Sequence, residues 1–165
     1  MSYCKLLFCI ANISIASCSL TYSQVNSDED MISYMKESNA LAGNETSEDS
    51  TPYSLFKELV RDGMLEEEGI IVSYMTLVKT NNRARKGRVY DFVIEKWVVG
   101  DNKSLADIHK TISGVIYDTY YEKPPKVVLV KKNYIYVIAT WGAVYRNDLY
   151  EIRKNLVQKY SMETL

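Results

Sequence analysis

Three groups of residues in this 165-residue chain have chemistry beyond packing. Cys4, Cys9 and Cys18 are the only cysteines, and all lie within the first eighteen residues. The run Lys79-Thr80-Asn81-Asn82-Arg83-Ala84-Arg85-Lys86-Gly87-Arg88 carries five cations in ten residues. In it Arg83, Arg85, Lys86 and Arg88 form a candidate partner-binding set, because guanidinium groups fork onto phosphate or carboxylate oxygens. The third group is the acids and the lone His109. Asp91 and Glu95 lie four apart on one expected strand, so they share a face at roughly 13 Å, counting about 3.3 Å per residue. That exceeds the separation of about 9.5 Å or less at which paired carboxyls act as acid and base, and both read as solvated sheet-face acids. His109 follows a core-facing Ile108 and reads as a partly exposed helix residue. No catalytic residue, metal ligand set or cofactor motif stands out, since no acid or histidine cluster has ligand spacing.

Cys18 closes Ile15-Ala16-Ser17-Cys18 behind an apolar stretch from Leu6, preceded by Lys5 and the free amine. A weakly positive start, an apolar core of about this length and small residues before a cysteine form an export address. It resembles the bacterial lipoprotein signal, in which an aliphatic residue, two small ones and a cysteine precede cleavage and lipid attachment to that cysteine. The resemblance covers residues 1–18 and implies a lipid on Cys18 and a place in the periplasm or outer envelope, at the membrane. Two other readings use the same residues. Thr21 and Ser23 are small enough for ordinary cleavage before Gln24, and the apolar run is short enough to be a buried N-terminal element of a cytosolic protein. If the first seventeen residues are removed, Cys18 alone remains, and cleavage after Ser23 leaves no cysteine. Neither outcome permits an internal disulfide, so a packed core must stabilise roughly 145 residues, enough for one domain.

Net charge is −1 but divides along the chain. Between Ser19 and Gly69 twelve acids face three cations, a balance of −9. From Ile70 onward sixteen cations face nine acids, a balance of +7. Such asymmetry points to a partner or to internal pairing. Residues 19–50 read as an acidic tether holding one marginal helix from about Asp28 to Leu41, with Ala42 to Ser50 as loop.

The elements that would position these groups lie in a single domain over residues 51–165. Thr51-Pro52 opens a helix with a stripe of Leu55, Phe56, Leu59 and Val60, and Gly63 closes it. Ile70 to Val78 and Val89 to Val99 read as two antiparallel strands. Ser104 with Asp107 forms a capping box opening a helix with Leu105, Ile108, Ile112, Val115 and Ile116 on one face, and Pro124-Pro125 prevents its continuation. Val127 to Val130 and Tyr134 to Trp141 form a second strand pair about Lys132-Asn133, and Asn147 caps a last helix. The expectation is an α+β fold: a mostly antiparallel four-stranded sheet with helices on one face, ordered β-β-α-β-β-α after one or two N-terminal helices. Tyrosine outnumbers phenylalanine fourteen to three, which suits rings buried with a hydroxyl near water or a partner.

Together these features describe an exported, lipid-anchored, non-catalytic envelope protein. It would meet the membrane through its lipid and bind a protein or an anionic envelope component, and it would not bind nucleic acid. Two alternatives remain open: a small envelope immunity or inhibitor protein, and a hydrolase or transferase whose carboxylate site assembles only in three dimensions.

Overall fold

Four strands follow from hairpin chemistry. Ile70–Lys79 (β2) and Phe92–Val99 (β3) pair antiparallel, from Ile70 opposite Val99 to Leu77 opposite Phe92. Lys126–Lys131 (β4) and Tyr134–Thr140 (β5) pair antiparallel about Lys132-Asn133, where Lys132 has a positive φ of 54°. Tight two-residue hairpin turns call for such left-handed backbone. Asn133 ties this turn to the end of β3: its carbonyl accepts from Val99 N at 2.9 Å and its Nδ2 donates to Val99 O at 3.3 Å. The hairpins join through β3 and β5, again antiparallel, with Ile94 opposite Ile138.

The computed structural model describes residues 31–39, 41–46, 53–79, 91–101, 103–116, 124–140 and 145–165. Within them the sheet has six strands, not four. Leu41–Thr46 (β1) lines β2 and Glu163–Thr164 (β6) lines β4, giving the order β1-β2-β3-β5-β4-β6. Residues 42–46, expected as loop, are thus an edge strand. Gly43 suits the close approach to β2, because a Cβ there would collide with the Thr76 carbonyl.

Helices cover both faces of the sheet, which corrects the expectation of one. On one face Leu55–Arg61 (α2) and Leu105–Val115 (α3) bury Leu55, Leu59, Ile108 and Ile112 against Trp97, Val99, Val128, Val130, Ile135 and Val137. On the other, residues 31–38 (α1) and Arg146–Tyr160 (α4) bury Met31, Met35, Leu149, Ile152 and Leu156 against Leu77, Phe92, Ile94, Leu129, Tyr136 and Ile138. Alternate residues of β3, β4 and β5 divide between these two cores, as the period of two requires. The marginal helix expected from Asp28 to Leu41 is therefore α1, packed into a core.

Side-chain caps account for the starts of α2 and α3. Ser104 Oγ accepts from Asp107 N at 3.3 Å, as the capping box requires. α2 is capped by Ser54, whose Oγ accepts from Lys57 N at 3.1 Å, and it gives way at Gly63 with φ 69°. α4 begins after Tyr145 with no side-chain cap, so Asn147 lies inside that helix.

Tyrosines and lysines share the α1/α4 side. Lys159 Nζ stands 3.7 Å from the Tyr34 ring centre, and Lys96 Nζ 4.7 Å from that of Tyr134. The Tyr34 and Tyr160 rings lie 5.8 Å apart. Rings here cover lysine stems and take ammonium groups on their faces, which explains part of the tyrosine excess.

Candidate functional site

Two places gather polar chemistry. The first is a buried knot beneath α2. Alternation along β3 turns Glu95 toward that helix, where Oε1 accepts from the Ser54 hydroxyl at 2.8 Å and from Phe56 N at 3.0 Å, and Oε2 accepts from Leu55 N at 2.9 Å. Ser54 Oγ also lies 3.2 Å from the Tyr74 hydroxyl. The carboxyl thus satisfies first-turn amides that a helix leaves free. Burial pushes the Glu95 carboxyl from 4.5 up to about 7, against the pull of its hydrogen bonds to Ser54, Phe56 and Leu55. The Trp97 indole also bears on it, although Nε1 has no partner at hydrogen-bond distance. Burial, with Glu58 and Glu95 nearby, likewise raises the Tyr53 hydroxyl.

A carboxyl near neutrality against a serine hydroxyl has the elements of a base and a nucleophile. The geometry assigns a different role. Glu95 is 1% exposed and Ser54 5%, and both carboxyl oxygens are committed to fastening α2. Glu95 and Asp91 are buried rather than solvated sheet-face acids. The sequence does carry a signal for this: Phe92, Ile94, Val93, Trp97 and Val99 place apolar residues on both parities of β3, the pattern of a strand covered on both faces.

The second place is a cavity of about 270 Å³ beside β4, lined by Ile116, Val128, Leu149, Tyr150, Arg146 and Arg153 among others. Arg146, Leu149, Tyr150 and Arg153 stand at i, i+3, i+4 and i+7 on α4 and so share one helix face. Arg153 Nη2 donates to Thr164 Oγ1 at 3.3 Å, and Tyr150 is 51% exposed. Lys126 also lines the wall, but its Nζ is shielded from water and lies 5.7 Å from the Tyr53 ring centre. Its charge acts on Glu58, whose carboxyl is raised by burial and lowered in turn by Lys126. Arg146 and Arg153 are thus the cations set toward the open space, with Lys126 behind them and Leu165 also in the lining, and no acidic side chain is among the described residues lining the cavity.

Comparison with family models, curated proteins and solved structures finds no match for this chain.

Cys18 lies outside the described residues, as do Arg83, Arg85, Lys86 and Arg88. β2 and β3, which flank that cationic run, are the antiparallel neighbours expected, and Asp91 N donates to Leu77 O at 2.8 Å where they meet it. His109 is half-buried on α3. Burial lowers its ring below the usual 6.5, opposed by Glu163. Among the described residues no group of three His, Cys, Asp or Glu could hold a metal ion, and no helix is long and apolar enough to cross a membrane. Sequence reasoning missed the arginines of α4. They sit seven residues apart in a helix with a strongly polar surface, and only the fold brings β4 and Ile116 beside them.

Proposed function

We propose that this chain is an exported envelope protein, anchored by a lipid on Cys18, that binds an anionic partner and performs no catalysis. The observation that carries the reading is the cavity beside β4, where Arg146, Arg153 and Lys126 stand with half-buried Ile116, Pro125 and Leu165, and no acidic side chain is among the described lining residues. Such a site favours a negatively charged group and disfavours cations. Arg83, Arg85, Lys86 and Arg88 supply a second cationic set of the kind that forks onto oxyanions. The apolar run ahead of Cys18 supports export and anchoring.

The test has two arms. Expressed in a bacterium supplied with labelled fatty acid, the full chain takes up label and Cys18→Ser does not. Label that persists in the variant, or never appears, overturns the anchor. In the second arm the purified chain captures anionic envelope components at low salt, and a double Arg146→Glu, Arg153→Glu variant captures at least tenfold less. Equal capture by a folded variant overturns the binding role of the cavity.

A further inference from the structure

We infer that the cavity beside β4 is a site for a small phosphomonoester carrying an apolar or aromatic body. This rests on the anionic-partner reading and names the ligand class for that site.

Size is the first argument. About 270 Å³ lies just under the range of roughly 300–1,000 Å³ that holds drug-sized ligands. It admits a small molecule rather than a length of polymer.

Charge is the second. A phosphomonoester carries close to two negative charges at neutral pH, and two guanidinium groups line the space. Each offers parallel N–H donors at the spacing of phosphate oxygens. Arg153 is already oriented by its bond to Thr164 Oγ1 at 3.3 Å, so less side-chain freedom is lost on binding. Arg146 is the first residue of α4, whose N-terminus lacks a side-chain cap, and the positive end of that helix adds to the same field. Asp148 in the first turn offsets part of that addition. A carboxylate ligand would bring one negative charge to the two arginines where a phosphomonoester brings close to two.

The wall is the third argument. Ile116, Pro125 and Leu165, all half-buried, supply apolar surface within the cavity over the buried Val128 and Leu149, and the Tyr150 ring stands half-exposed at the same place. Inorganic phosphate would leave this surface wet. An ester with a ring or short alkyl group would cover it, gaining contact with the tyrosine face. The arrangement separates an anionic end from an apolar side, as in sites that hold one polar group precisely and a larger body loosely.

Isothermal titration of the full chain with phenyl phosphate, inorganic phosphate, benzoate and benzyl alcohol tests this at fixed ionic strength. Phenyl phosphate is expected to bind one to one, at least tenfold tighter than inorganic phosphate or benzoate, with no measurable binding of benzyl alcohol. Arg146→Ala and Arg153→Ala each weaken it at least tenfold, and Tyr150→Ala at least threefold. Lys110→Ala, on the exposed side of α3, leaves it unchanged. Arg146→Lys and Arg153→Lys keep the charge without the fork, so an intermediate loss reads the bidentate contact even where an alanine variant fails to fold. Phenyl phosphate binding no tighter than inorganic phosphate, or unchanged in the lysine variants, overturns the inference. If envelope capture still depends on Arg146 and Arg153 while phenyl phosphate does not bind, the anionic-partner reading survives and the ligand class is wrong. If both fail, the reading falls with it.

Discussion

Replacing Glu95 by glutamine separates the charge of the buried carboxyl from its shape. In the folded protein the group holds its proton up to about pH 7, against 4.5 for the ordinary carboxyl. A carboxyl whose folded value is raised favours the native state in its protonated form. Its cost is therefore absent below about pH 4.5, grows as pH rises from 4.5 to 7, and is constant above. The distance between the two values, at about 1.36 kcal/mol for each pH unit, amounts to about 3 kcal/mol. The side chain is 1% exposed, so solvent screening removes little of this. Glu95→Gln abolishes that dependence but adds a fixed loss. The amide group must turn an NH₂ toward Leu55 N, or toward Phe56 N and Ser54, where a carboxyl oxygen accepted. A buried donor left without an acceptor costs about 1–3 kcal/mol. At pH 5 the natural protein should be the more stable by about this amount, and at pH 8 the gap closes or inverts. Urea unfolding followed by tryptophan fluorescence at pH 5, 6, 7 and 8 measures it. In melting temperature the change in the gap is about 6–12 °C for a chain of this size. Two parallel pH profiles, separated by a constant gap to within about 0.5 kcal/mol, would refute the reasoning.

Ser54→Ala removes both the α2 cap and a donor to Glu95; denaturant unfolding should show a loss of about 1–3 kcal/mol. Gly43→Ala sets a Cβ against the Thr76 carbonyl. A loss of about 1–3 kcal/mol is expected, with amide exchange accelerated along β1 and unchanged in β4 and β5. Thr140→Val keeps the shape but strips the bond of 3.1 Å from Oγ1 to the Asp91 carbonyl, and thermal melting should register about 1–2 kcal/mol. His109 should titrate below 6.5 by proton NMR, and Glu163→Gln should lower its midpoint further, because Glu163 favours the charged ring.

The parts of the fold legible in the sequence are those written locally. Ser104 and Asp107, Lys132-Asn133 and the alternation from Ile70 each act over a few residues. They place both hairpins and α3 where they stand, and the α+β class follows. Pairing partners far along the chain leave no such mark. Leu41–Thr46 includes Gly43, Asn44 and Glu45, poor strand formers, and becomes β1 only because β2 offers an open edge. β6 has two residues and no pattern at all. The second helical layer depends on residues 31–38 and α4, from opposite ends of the described chain, closing over Phe92 and Ile94. Once that layer claims Phe92 and Ile94, the opposite parity of β3 falls to α2, and Glu95 is buried there by the helix whose first-turn amides it holds. The cavity likewise draws on Ile116, on β4 and on one face of α4, which no single motif spans.

Met31 and Met35 sit in the core beneath the sheet, at 4% and 2% exposure, and this sets a reach. A lipid on Cys18, as proposed, leaves thirteen peptide steps to the first core residue. Fully extended, such a length spans at most about 45 Å. The domain would then ride close above the headgroups of its own membrane, within range of small or short partners at that surface. A target fixed farther than this from the leaflet would have to come to it.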